Sequence, residues 1–157
     1  MRKRITSLLL VLAFCLTLLP TAALAEEPDV PNGEVAEEDA VAVVGGTYYT
    51  DIADALNSAG NGATVTLLAN ASTDKMINIV NYDSDSKEIT LDLAGHDLTC
   101  SNKFLICPSS KYTQLTVTGK GSINADITLK TEGSLHLSDS WTDGTITSVT
   151  VEAEGVL

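Results

Sequence analysis

Apolar residues return along this chain in an apolar-x-apolar spacing that steps forward every 20 to 27 residues. The clearest copy runs from Ile127 to Leu135 and again from Val149 to Leu157, matching type for type at a distance of 22 positions. A fixed offset of that size is the mark of stacked copies of one supersecondary unit. Working backwards, Ile77/Ile79 and Phe104/Ile106 precede Ile127/Leu129 and Val149/Val151 in one column. Leu67/Ala69, Leu91/Leu93, Leu115/Val117 and Leu135/Leu137 form another, and Leu98, Ile123 and Ile146 a weaker third. Alternation with period two predicts strands with one buried face. Three short strands per repeat predict an all-β parallel solenoid of three sheets and about four coils, rather than a sandwich. One such coil buries too little to offset the entropy of ordering itself, so each must share its apolar face with its neighbours.

The pattern changes before the first coil, in a cap spanning residues 41–63. Val41 to Gly46 predicts a strand followed by a turn. A helix is expected over 51–59, capped by Thr50 or Asp51, with Asp54 near the capping-box position and Gly60 closing it. Ile52, Ala55, Leu56 and Ala59 repeat at helical spacing on one face. A short amphipathic helix in this place would cover the open end of the solenoid (residues 64–157) and its unpaired strand edges.

Residues 1–25 have the layout of a secretory signal: basic Arg2, Lys3 and Arg4, an apolar stretch, then Ala23-Leu-Ala25 as a cleavage site after Ala25. Residues 26–40 are acidic, carry prolines and are poor in large apolar residues, which predicts a disordered leader. Export would remove both arginines and leave six lysines against 21 acidic residues, a net charge near −15. Such a surface repels nucleic acid and polyanions, which excludes nucleic acid as a partner. No stable membrane insertion is expected after cleavage.

The cap and first coils carry a recognisable run: Tyr48 to Asn57, then Gly62 to Leu68, then Ile89 to Leu98. It resembles the start of right-handed parallel β-helix domains of the pectate-lyase-like type, as found on secreted and surface proteins of Gram-positive bacteria. The likeness covers residues 47–157. It implies a secreted, cell-surface location and says more about fold than about activity.

That resemblance also supplies tests for catalysis. Lyases of this fold use an arginine base beside aspartate-held calcium, and the chain after Ala25 has no arginine. Glycosidases need paired carboxylates on one sheet face. The outward positions of the first column read Thr66, Asp92, Thr116 and His136, then Ala94, Thr118 and Ser138, one carboxylate among hydroxyls. No catalytic residue and no cofactor is therefore expected.

Single residues with chemical potential are few. His96 follows Gly95 in a turn, and His136 alternates outward between Leu135 and Leu137. Neither has a partner at metal-ligand spacing. Asp83, Asp85 and Glu88 are candidate calcium ligands in a polar excursion, against the better-supported reading of a solvated loop. Cys100 and Cys107 form an even pair in a chain marked for export. A disulfide would make the chain double back, which favours two separate thiols. Trp141, Tyr48, Tyr49, Tyr82 and Tyr112 fall in expected non-strand segments and are the candidates for stacking on sugar rings. For Trp141 the favoured reading is packing on a neighbouring coil.

By register, Gly155-Val-Leu157 begins another coil. The expectation is either a longer protein or a partner, including a second copy, over an open C-terminal edge. The functional expectation is a secreted, non-catalytic module for cell-surface display or adhesion, binding glycan or a host or cell-surface protein. Two alternatives stand beside it. One is the front of a polysaccharide-degrading enzyme with its site past residue 157, and the other is a structural stalk.

Overall fold

The computed structural model describes residues 36–82, 86–108 and 112–152. The signal segment, most of the leader, Asp83, Asp85 and the final Gly155-Val-Leu157 lie outside these described residues. Within the leader, Glu37–Asp39 form a turn of 3-10 helix and Ala40 is buried, so order begins ahead of Val41.

The cap comes first. Strands β1 (Ala42–Val44) and β2 (Thr47–Tyr49) pair antiparallel across Gly45 and Gly46. Those glycines have φ of 56° and 87°, the two left-handed positions that a tight two-residue hairpin demands. Tyr48 and Tyr49 therefore lie in a strand, not in the irregular segment expected for them. Helix α1 (Ile52–Ser58) follows, with the Asp51 carboxylate accepting the Ala53 N–H at 2.8 Å. Ile52, Ala53, Ala55 and Leu56 are buried. The helix stops as Ala59 turns extended (φ −59°, ψ 127°), so the expected glycine closure at Gly60 is not what ends it.

The winding then begins. Coil one is β3 (Thr64–Leu67), β4 (Ala71–Thr73) and β5 (Ile77–Asn81). Coil two is β6 (Lys87–Asp92), β7 (Leu98–Cys100) and β8 (Phe104–Pro108). Coil three is β9 (Thr113–Thr118) and β10 (Ile123–Leu129), and coil four β11 (Gly133–Leu137) and β12 (Ile146–Val151). Every pairing between coils is parallel. The chain is thus a parallel β-solenoid. Its columns are four strands deep, which makes about three turns, slightly fewer than the four coils expected.

Two columns hold the register expected from spacing. Ile77, Phe104, Ile127 and Val149 superpose, as do Leu98, Ile123 and Ile146, with Ala71 above them. In the first column the register differs by two residues. Val65 meets Leu91, Leu91 meets Val117, and Ile89 meets Leu115, while Leu115 meets Leu135 as expected. A slip of two keeps every side chain on its face, whereas a slip of one would invert it. Spacing of apolar pairs alone cannot detect it.

The interior is predominantly apolar. Leu91, Leu98, Phe104, Ile106, Leu115, Ile123 and Ile127 are fully buried, each contributing about 1.5–3 kcal/mol. Burial thins in coil four, where Leu137, Val149 and Val151 are 42%, 44% and 70% exposed. At the opposite end β1 lies antiparallel on β3. There α1 also supplies Asn57, whose Nδ2 donates to Met76 O and whose Oδ1 accepts the Asn78 N–H. The cap thus satisfies the backbone edge as well as covering apolar side chains.

Candidate functional site

The columns are joined by corners, and one corner shortens down the stack. From the third column to the second the chain takes six positions in coil two (Leu98 to Phe104) but four in coil three (Ile123 to Ile127). Coil four takes three, Ile146 to Val149. Coil two therefore makes a projecting corner at Ser101, Asn102 and Lys103, whereas β10 and β12 run straight through as single strands. Asn102 holds the projection by donating to Asp74 O at 2.9 Å. The step beneath it is an open groove of about 390 Å³.

The groove is lined by Ser101, Asn102, Lys103 and Leu105 above, and by Asp126, Thr128, Lys130 and Glu152 below. It continues past Thr99, Asn124 and Thr147. Strand alternation explains the lining: Phe104, Ile127 and Leu129 point inward, so Lys103, Asp126, Thr128 and Lys130 must point out. Lys130 pairs with Glu152, the Asp126 carboxylate accepts the Ser148 hydroxyl, and Thr147 donates to Asn124 Oδ1 at 2.8 Å. The arrangement offers hydroxyls, amides and charges of both signs on a fixed strand lattice. Asp126 and Glu152 stand four positions and one strand apart, about 14 Å from strand geometry, wider than either spacing used by paired glycosidase carboxylates.

Cys107 lies beside Lys130 on the same outward face, half-buried. Burial pushes its thiol pKa up, Lys130 draws it down and Glu152 pushes it up again, for a net rise. Cys100 faces inward and is buried. The two thiols are free, on opposite faces of the wall.

The other candidates do not converge. Tyr48 and Tyr49 sit on the cap, where the Glu37 carboxylate beside Tyr48 pushes that phenol's pKa up, with burial and a hydrogen bond to Glu37 adding to it. Tyr49 accepts from Ser58 at 2.9 Å and packs on the core. Tyr82 follows β5 and is 82% exposed. Tyr112 precedes β9 and accepts the Ser134 hydroxyl at 3.0 Å. Trp141, after β11, donates to Gly121 O at 3.0 Å and packs against the core from a different corner. His96 closes the turn at Ala94 and Gly95, its N–H on Leu93 O, and His136 is exposed.

The first column's outward face needs correcting by the same two residues. Thr64, Thr90, Thr116 and His136 form one row and Thr66, Asp92 and Thr118 the next, with Ala94 beyond the strand in the turn. Glu88 shares this face with Asp92, four positions away along β6 and about 13 Å off by strand rise. Among the described residues no three His, Cys, Asp or Glu side chains gather as a cation-binding group. No described helix is long and apolar enough to cross a membrane.

No family model, no curated protein and no solved structure matches this chain. The groove gathers eight residues along one wall of the solenoid. None of its lining beyond the strand pattern was singled out from sequence, although the shrinking gap between the second and third columns was there to be read.

Proposed function

We propose that this chain is a secreted, non-catalytic β-helix module of the pectate-lyase-like kind, displayed at a Gram-positive-type cell surface, which binds glycan in the groove under the Ser101–Lys103 corner. The carrying observation is that groove: an open, polar step of about 390 Å³ on a rigid strand lattice. Glycan recognition needs many hydroxyl and amide partners at fixed positions, and Ser101, Asn102, Thr128, Asn124 and Thr147 supply them. Ligand sites built on strands hold their geometry better than sites on loops. The engaged carboxylates favour holding over bond cleavage: Asp126 is taken by Ser148 and Glu152 by Lys130. Strongly acidic composition argues against polyanions as the ligand class.

A glycan array probed with the chain tests this. The expected result is a defined set of bound glycans, lost in Thr128→Arg, whose longer side chain fills the groove from an outward position without touching the core. Array binding unchanged by Thr128→Arg would move the site elsewhere. Silence on glycans and on immobilised cell-surface proteins would leave a structural stalk.

A further inference from the structure

The groove holds a cation that no other described residue pairs with. Lys75 pairs with Asp51 and Asp54, Lys120 with Asp143 and Lys130 with Glu152, and Lys87 donates to Val80 O. Among the described lysines only Lys103 has a side chain with neither ion pair nor hydrogen bond. The chain has acidic groups in large surplus, 21 against nine basic, so an unanswered ammonium is unexpected. Its cross-strand neighbour is a carboxylate: Ile127 registers with Phe104, which sets Asp126 beside Lys103. Yet Asp126 receives the Ser148 hydroxyl from the other side, and no Lys103–Asp126 ion pair forms. Lys103 therefore stands at the rim of the polar groove with its donors free.

Resting on the reading of the groove as a glycan site, we infer that its ligand is a hydroxyl-rich glycan whose one charge is a single carboxylate, and that Lys103 receives that carboxylate. An ammonium donating to a carboxylate makes the stronger, charge-assisted kind of hydrogen bond. One negative charge is met locally at Lys103. A chain charged at every residue would bring further anions against Asp126, Glu152 and the acidic surface, where nothing answers them. The groove thereby selects for one charge and against many.

The test compares sialyllactose, its methyl ester and lactose by titration calorimetry, with heparin as the polyanion. Sialyllactose is expected to bind about tenfold tighter than its ester, the size of one charge-assisted contact. Lys103→Gln should bring the two together, and Lys103→Arg should keep them apart. Heparin should bind more weakly than sialyllactose at low salt. Equal binding of acid and ester, or a preference that survives Lys103→Gln, overturns this inference while leaving the groove as a neutral-glycan site. Loss of all glycan binding in the native chain removes both readings. Melting curves of the variants, expected to overlay since Lys103 is exposed and unpartnered, keep folding defects apart from lost recognition.

Discussion

The side-chain oxygen of Asn70 accepts the backbone N–H of Asp97, one coil further on, at 3.0 Å. The relation repeats down the corner between the first and third columns. Asp97 Oδ1 accepts the Ser122 N–H at 2.8 Å and Ser122 Oγ the Thr145 N–H at 3.2 Å. Each corner side chain thus captures a backbone donor that the strand ladder leaves unpaired where the chain turns. Asp97→Ala breaks the middle rung and should cost about 1 kcal/mol. Asp97→Asn, which keeps an acceptor like that of Asn70, should cost less. Urea unfolding of the two variants checks the difference; equal losses would mean that the rung does not matter.

The same corner packs tightly enough to exclude a methyl group. A Cβ on Gly121 would stand 2.0 Å from His96 O, and the residue has φ of 133°. Both the backbone conformation and the approach of the preceding coil require glycine there. Gly121→Ala should lose at least about 2 kcal/mol. Gly60→Ala, where a Cβ meets nothing within 4 Å and φ is not left-handed, is the control expected near zero. Thermal melts of both variants decide it.

Burial is graded along the stack, so one chemical change should have graded effects. Leu91 is fully buried between coils, whereas Leu137 in coil four is 42% exposed. Leu91→Ala should cost about 2–5 kcal/mol, the range for a buried leucine, and Leu137→Ala clearly less. Equal losses in chemical denaturation would show that the outer coil is covered in solution.

These contrasts show what the sequence carries. Alternation and the 20–27 residue step expose the solenoid, because each coil repeats the same inward pair. Ile77, Phe104, Ile127 and Val149 could be aligned without coordinates. The two-residue offset of Leu67 against Leu91 could not, since faces are unchanged by an even slip. The hairpin's second strand hid in Thr47-Tyr-Tyr49, three residues being too few to show a period. The groove hid for another reason: it is made by a difference between coils, six positions at one corner and three at another. A search for likeness passes over it. Lys103 and Asp126 become neighbours only after both registers are known.

Acid should unlock the cap before the coils. Lys75, from the turn after β4, pairs with Asp54 at 2.7 Å and Asp51 at 3.2 Å, tying α1 to coil one. Partial burial acts to raise the Asp51 pKa. The Ala53 N–H, the Thr73 hydroxyl and Lys75 together outweigh it and hold the pKa below the usual carboxylate range. A depressed folded pKa gives stability that is present above the unfolded value, about 3.9, and is lost as pH falls through the lower folded one. Asp51→Asn should therefore lower stability at neutral pH and flatten the decline below about pH 4. Denaturant midpoints of native and variant chains, measured from pH 7 downwards, should converge on the acid side. Parallel curves across that range would show that Asp51 is not the group through which acid loosens the cap.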